Sequence, residues 1–204
     1  MLHTIRAAGS SSEDAVLRRM FAARKAVFVD LLGWDVPVLD GRFEVDQFDD
    51  PHATYLVVTD GCGAHLASAR LLPTLRAHIL GDIFPHLCEA PPPRDASVFE
   101  ITRFCLDRGL DARARRRARD LLVTALVEHA LAEGITGYVA IAEMAWFQQI
   151  LAFGWRCRPL GLPQGDGAGL VAALRIDIDR NTPVLLAHAG MIVQPGEPAV
   201  RRAA

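Results

Sequence analysis

The sequence predicts one mixed α/β (α+β) domain with a hairpin-built early sheet, and three observations lead there. The 204 residues, 51% of them apolar, suffice for one sizeable core but are few for two ordinary domains. Two apolar runs, 53–59 and 64–72, flank Asp60-Gly61-Cys62-Gly63, the pattern of two strands joined by a tight glycine turn. Residues 97–107, 113–133 and 138–142 then alternate strand, helix and strand, with Gly134 standing where the helix should end.

The remaining elements follow in order. Ser11-Ser12-Glu13-Asp14 reads as a helix start, and Ala15, Val16, Met20, Ala23, Val27 and Phe28 follow at near-helical spacing, which predicts a helix over 12–32. From Gly33 to Pro51 the pattern breaks into a loop rich in Asp, Gly and Pro, and loops of that length in compact domains are usually functional. Pro73-Thr74 ends the hairpin, and a short helix near 79–87 precedes Pro91-Pro92-Pro93, which forces an extended connector. Tyr138 to Ala142 is fully apolar, as expected of a strand buried on both faces. A helix over 144–152 ends at Gly154, a late strand covers 168–178, and the tail from Pro195 reads as frayed. No repeat and no flexible linker divides the chain, so residues 1–204 are expected to form a single domain.

Composition narrows the function classes. With 22 Lys+Arg against 24 Asp+Glu the formal charge is −2, which argues against a nucleic-acid binder. No run approaches the apolar length of a membrane span, and Met1 to Arg6 lacks the form of a signal peptide, so a cytoplasmic location is expected. The four cysteines (Cys62, Cys88, Cys105, Cys157) are far apart and form no C-x-x-C pair, and the histidines form no H-x-x-x-H pair. Buried or half-buried free thiols and no metal site are the expectation.

Three clusters interrupt the core pattern. Arg24-Lys25-Ala26-Val27-Phe28 is followed by Trp34, and Glu44-Val45-Asp46-Gln47-Phe48-Asp49-Asp50 holds four carboxylates in seven residues. Arg70 in Ala69-Arg70-Leu71-Leu72-Pro73-Thr74 and Arg103 in Phe99-Glu100-Ile101-Thr102-Arg103-Phe104 interrupt strongly apolar strands. Such arginines call for carboxylate partners, because an unpaired buried charge is very costly. Plainer readings exist for each: a surface arginine at 24, core phenylalanines at 28 and 84, a solvated acidic loop, and structural ion pairs. The acidic run lacks the D-x-D-x-D-G spacing of a calcium loop.

Taken together, Arg24, Phe28, Trp34, Asp46, Asp49, Arg70, Phe84, Glu100 and Arg103 resemble the signature of the LuxI-type acyl-homoserine-lactone synthases of bacterial quorum sensing. The resemblance implies a three-layer sandwich around a mixed, largely antiparallel sheet, similar to the acetyl-CoA-dependent N-acyltransferases. It implies an enzyme that acylates the amine of S-adenosylmethionine from an acyl thioester, usually on acyl carrier protein. The enzyme then closes the lactone and releases methylthioadenosine. S-adenosylmethionine is a substrate, and no cofactor is expected.

That chemistry suggests roles. The amine must be held by carboxylate and relieved of its proton; Asp46 and Asp49 suit the holding and Glu100 the base. The substrate carboxylate calls for a bidentate arginine, with Arg24, Arg70 and Arg103 as candidates. Phe28, Trp34 and Phe84 would wall the adenosine and the cationic sulfur. Glu100 and Arg103 are three apart and would face opposite sides of a regular strand, so a bulge or strong twist is expected near Ile101–Arg103.

On the acyl side, the resemblance implies a pocket that includes Phe104, Leu122, Ile141, Ala142, Met144, Trp146 and Leu151. Ala140, Ala142 and Glu143 stand where members that prefer 3-oxo chains carry Thr or Ser, which argues against a 3-oxo substrate. Glu143-Met144-Ala145-Trp146 is similar to a branch that uses branched-chain or aryl acyl-CoA, in which a bulky Trp shortens the pocket. Arg113, Arg115, Arg116, Arg117 and Arg119 put five positive charges in seven residues at a helix start, against the helix dipole. Arg113, Arg116 and Arg117 are candidates for docking acidic acyl carrier protein or the phosphates of coenzyme A, beside the reading of a solvated basic face.

Two other classes compete. An acetyl-CoA-dependent N-acetyltransferase would carry a Q/R-x-x-G-x-G/A loop before the long helix, where this chain has Arg115-Arg116-Arg117-Ala118-Arg119 and no glycine. A non-catalytic binder of S-adenosylmethionine would have no need for Glu100.

Overall fold

The computed structural model describes residues 1–6, 11–165 and 169–191. The tail expected to fray from Pro195 lies outside them. The described chain folds as two compact units, the first built from Met1–Arg70 with Arg103–Ala125 and the second from Leu71–Thr102 with residues 126–191.

The first unit opens with β1 (Leu2–Arg6), in which only Ile5 is buried, so no apolar run marks it as a strand in the sequence. β1 pairs antiparallel with β4 (Thr54–Thr59), from Leu2↔Val58 to Arg6↔Thr54. α1 (Ser11–Arg24) runs into one π-helical turn, Lys25–Val29, where Asp30 N–H donates to the Lys25 carbonyl (3.1 Å) and Leu32 N–H to that of Val27 (3.0 Å). The regular helix expected over 12–32 is therefore interrupted, and Gly33 with φ 69° ends the turn.

The expected loop 33–51 contains a small hairpin of β2 (Val38–Leu39) and β3 (Phe43–Glu44). Asp40 and Gly41 both have positive φ (52° and 64°), and Arg42 N–H donates to the Leu39 carbonyl (3.0 Å). That is the type I′ geometry Asp-Gly favours, so the dipeptide is the local signal for this hairpin. β4 and β5 (His65–Pro73) form the expected hairpin; its turn is held by Asp60, whose carboxylate accepts the N–H groups of Cys62 (2.9 Å) and Ala64 (2.8 Å).

In the second unit, the first residues of β6 (Val98–Leu106) pair in parallel with β7 (Gly137–Glu143), from Val98↔Gly137 to Ile101↔Ala140. A parallel neighbour needs a crossover, which α3 (Ala112–Glu133) supplies. Gly134, with φ 71°, closes α3 as expected, and Ile135 N–H reaches the Ala130 carbonyl (2.8 Å). α4 (Met144–Leu151) buries Phe147 and Ile150. β8 (Arg156–Pro159), β9 (Gln164–Gly165) and β7 all pair antiparallel with β10 (Leu170–Asp177). The expected helix near 79–87 is split into α2 (Ile79–Asp82) and a 3₁₀ turn at Pro85–Leu87. β8, β9 and the C-terminal α5 (Thr182–His188) are not evident in the sequence; β8 and β9 have no buried residue, hence no apolar pattern.

Among the described residues the main sheet is mixed, with eight strands in the order β1-β4-β5-β6-β7-β10-β8 and β9 on β10. The core of the second unit is the cluster Leu80, Leu87, Val98, Val139, Val171 and Ala173. Val27, Phe28 and Cys105 form a core cluster of the first, and burial pushes the Cys105 thiol up to about 12. Cys88 and Cys157 are half-buried; Cys62 is exposed, contrary to expectation, because it sits in a solvated turn. Among the described residues no helix is long and apolar enough to cross a membrane, and no group of His, Cys, Asp or Glu could hold a metal ion.

Two glycines make a contrast. Gly154 has φ 94°, and a Cβ there would meet the Ala189 Cβ at 2.6 Å and the Leu185 carbonyl at 2.7 Å, whereas Gly134 opens onto free space. Gly154→Ala is expected to destabilise the fold by about 2–4 kcal/mol in urea unfolding, from overpacking plus backbone strain. Gly134→Ala should cost about 1 kcal/mol, from the left-handed backbone alone.

Candidate active site

The site in the first unit begins at the end of α1. Arg24 closes that helix, and the π-turn after it sets Phe28 and Trp34 face to face, their rings 4.7 Å apart and within 16° of parallel. Single π-turns recur at functional sites because they re-aim side chains that a regular helix would spread around its surface.

The acidic loop organises itself. Asp46 N–H donates to Asp49 Oδ2 (2.8 Å), Phe48 N–H to Asp46 Oδ1 (2.8 Å), and Asp49 N–H to the Asp46 carbonyl (3.1 Å). The loop's own amides thus hold both aspartates in one orientation before any arginine arrives.

Three arginines then meet three carboxylates. Arg24 gives Nε to Glu44 Oε2 (2.5 Å) and both terminal nitrogens to Asp49 (2.8 and 2.9 Å). Arg70 spans Asp46 with two bonds (2.6 and 3.0 Å) and lies 2.8 Å from Asp49 Oδ1. Arg103 gives Nε to Glu44 Oε1 (3.0 Å) and Nη2 to Asp46 Oδ2 (2.7 Å). The side chains of Arg24, Glu44, Asp49 and Arg70 are at most 1% exposed; Asp46 is 5% and Arg103 10% exposed. Three positive and three negative groups cancel, the condition under which such a cluster can be buried.

Arg103 differs from its partners. Its guanidinium carbon lies 5.7 Å from the Phe28 ring centre and 5.8 Å from that of Trp34, so the aromatic pair flanks the cation. Among the described residues its Nη1 donates no hydrogen bond, and its backbone has φ 50° inside β6. That non-glycine left-handed residue is the break in strand alternation expected near Ile101–Arg103.

Burial works against a charge on Asp49, yet the hydrogen bonds and charge of Arg24, then Arg70 and the Asp46 amide, hold its carboxyl well below the usual range. Tyr55, which carries no signal in the sequence, donates its hydroxyl to Asp49 Oδ1 (2.9 Å). Burial and the Asp49 charge raise the phenol far above its ordinary value, so it remains a donor. Glu44 joins the site as well. It lies in the acidic run, and only the fold shows that two arginines share it.

The other expected residues belong to the second unit or to α3, except Phe104, which lies on the part of β6 that belongs to the first unit. Glu100 is 1% exposed, and its carboxylate accepts the N–H groups of Ile79 (2.7 Å) and Leu80 (2.9 Å). Phe84 packs against the Leu80 and Leu87 core and lies near His86 (6.0 Å between centres). Of the expected acyl-pocket residues, Leu122 and Ala142 are buried, while Phe104, Ile141, Met144 and Trp146 are half-buried. Trp146 meets Phe153 edge to face at 5.8 Å, and Phe153 meets Trp155 at 5.7 Å. Leu151, at the C-terminal end of α4, is 43% exposed. Arg113 and Arg116 are exposed on α3 and Arg117 is half-buried.

The model of the family described as Autoinducer synthase matches residues 9–184. The chain belongs to this family. An acyl-homoserine-lactone synthase of Ralstonia nicotianae is 34% identical over 95% of this chain and 97% of its own. An isovaleryl-homoserine lactone synthase of Bradyrhizobium diazoefficiens is 34% identical, covering 100% and 94%. Among solved structures, the CoA-dependent acyl-homoserine lactone synthase MesI aligns with TM-score 0.84 at 28% identity, covering 95% of this chain and 97% of its own. BjaI, solved with SAM and isopentyl-CoA, aligns with TM-score 0.82 at 31% identity over 95% and 90%. The expected fold class is thereby established for this autoinducer synthase.

The buried cluster sets a stability expectation. Asp49→Asn leaves two buried guanidinium groups short of a counter-charge and should cost about 3–5 kcal/mol at neutral pH in urea unfolding. Because the folded carboxyl lies below its unfolded value, this stability is fully present above the unfolded pKa of about 3.9 and is lost as the pH falls through the folded value. The acid-unfolding limb should accordingly be shallower in the variant.

Proposed function

We propose that this protein acylates the amine of S-adenosylmethionine from an acyl thioester and then closes the homoserine lactone. The observation that carries the reading is Arg103: a guanidinium oriented by Glu44 and Asp46, flanked by Phe28 and Trp34, with one nitrogen uncommitted among the described residues. In this reading Arg103 takes the substrate carboxylate and the aromatic pair lies beside the sulfonium. The geometry favours one of three arginines the sequence left equivalent, since Arg24 and Arg70 already give their nitrogens to Asp49, Glu44 and Asp46. Asp46 and Asp49 act through these arginines rather than holding the amine directly, as every carboxylate oxygen already accepts at least two donors.

Glu100 serves as the base. Its carboxylate, oriented by two backbone amides, accepts a proton from the amine, directly or through water, as the nitrogen attacks the thioester carbonyl. The C–N bond forms and the thiol leaves. A carboxylate oxygen then attacks the γ-carbon of the methionine portion, the C–S bond breaks, and methylthioadenosine departs with the electron pair. Geometry supplies most of that second step, because the sulfonium is already a good leaving group. S-adenosylmethionine is consumed as substrate, no cofactor enters the reaction, and both substrates are metabolites of the cytoplasm, where we place the enzyme.

The donor has two readings. Acyl carrier protein suits the exposed Arg113 and Arg116 on α3. Coenzyme A with a short branched or aryl chain is supported by the likeness to MesI and BjaI and by the Trp146–Phe153–Trp155 array.

Mass spectrometry of extracts from a lactone-free bacterial host is expected to detect an N-acyl-homoserine lactone and to name its acyl chain. Purified protein with S-adenosylmethionine and a panel of acyl-carrier and acyl-CoA thioesters covers the case of a host without the donor; no lactone from any of them would overturn the reading. Arg103→Lys should lower kcat/KM for S-adenosylmethionine by about 10- to 100-fold, the worth of a charged hydrogen bond. Arg113→Glu with Arg116→Glu should raise KM for an acyl carrier protein thioester about tenfold, in a salt-dependent way, if that face docks the carrier.

A further inference from the structure

One buried imidazole in the second unit is unused by this chemistry. His78 is fully buried, and its Nδ1 lies 2.8 Å from the Arg76 carbonyl oxygen. A carbonyl only accepts, so Nδ1 carries a proton. Among the described residues Nε2 is buried with no hydrogen-bond partner, a cost that asks for a compensating role. The ring lies against the main chain of Gly81: a Cβ there would stand 2.4 Å from Cε1 and 2.7 Å from Nε2. Only glycine at position 81 admits the ring.

The same turn holds Glu100. Its Ile79 and Leu80 amides are the two that the Glu100 carboxylate accepts. The turn is closed by His78 N–H donating to Asp82 Oδ2 (2.6 Å) and Asp82 N–H to the His78 carbonyl (3.0 Å). α2 has four residues, far below the length at which a helix holds itself, so these side-chain locks must fix its first turn. Two amides can orient a carboxylate only as sharply as they are themselves oriented.

We propose that His78, seated against Gly81 and tied to the Arg76 carbonyl, is a positioning residue for Glu100, locking the 78–82 turn so that its amides clamp the carboxylate in one orientation. The proposal rests on the reading of Glu100 as the base. It assigns Gly81 a matching part, as the position whose missing side chain makes room for the lock.

The test uses the purified full chain with S-adenosylmethionine and its acyl thioester, and three variants. His78→Phe keeps a ring and removes both nitrogens; His78→Asn returns an N–H donor near the place of Nδ1; Gly81→Ala leaves the imidazole but displaces it. His78→Phe and Gly81→Ala are expected to lower kcat by up to about 10²-fold, the cost of a misplaced catalytic group, with little change in KM for S-adenosylmethionine. Both should move the acid limb of the pH–kcat profile and speed hydrogen exchange at the Ile79 and Leu80 amides, and His78→Asn should recover both. Folded Gly81→Ala with an unchanged acid limb and unchanged exchange would overturn the proposal, even if His78→Phe failed to fold. Glu100→Gln run in parallel separates the two ideas. If it keeps full activity and the same limb, the base reading fails, and the exchange data still report whether His78 holds the clamp.

Discussion

Everything in the first unit depends on burying six charges at once. Arg24, Arg70 and Arg103 against Glu44, Asp46 and Asp49 make a neutral set in which every carboxylate is shared between two arginines. Desolvating each ion costs several kcal/mol, and attraction recovers that cost only when every oxygen and nearly every nitrogen is hydrogen-bonded. Asp49 meets this demand with Arg24, Arg70, Tyr55 and a backbone amide. The consequence is rigidity: an arginine held from two sides cannot wander, which is the preorganisation that recognition of a substrate carboxylate requires.

The constraint explains backbone features that would otherwise look costly. A π-turn follows Arg24, and Arg103 sits at positive φ inside a strand. The left-handed backbone at Arg103 costs of order 1–3 kcal/mol and persists only where the surroundings over-determine it. Here the surroundings are two carboxylates and two aromatic rings converging on one guanidinium. The second unit works the same way on a smaller scale: a four-residue helix is held in shape by His78, Asp82 and Glu100 and in return orients a buried carboxylate.

These arrangements also separate what a charged residue does from where it stands. Asp46 and Asp49 occupy signature positions, which suggested contact with the substrate amine, whereas their oxygens are filled by arginines and loop amides. Glu44 and Tyr55 occupy no signature position and are nonetheless integral to the cluster. Leu151 satisfied an apolar pattern, yet at the end of its helix it is exposed.

By itself the sequence determined the family, the reaction class, the β4–β5 hairpin, the β6–α3–β7 succession and the need for a break near Arg103. The family and the reaction class came through the resemblance of nine residues, in order, to a family signature. The elements and the break follow from local rules: apolar periodicity, glycine at a helix end, and the two-residue alternation of a strand that cannot aim two side chains three apart at one face. It did not disclose β1, β8 or β9, whose side chains are mostly exposed and carry no apolar signature. Nor could it rank the three arginines. Their chemistry is identical, and only the tertiary structure distributes the carboxylates among them, giving both terminal nitrogens of Arg24 and of Arg70 a carboxylate partner while, among the described residues, Nη1 of Arg103 has none. Which donor meets which acceptor is a matter of distance and angle between residues up to 59 positions apart, and no local pattern encodes it.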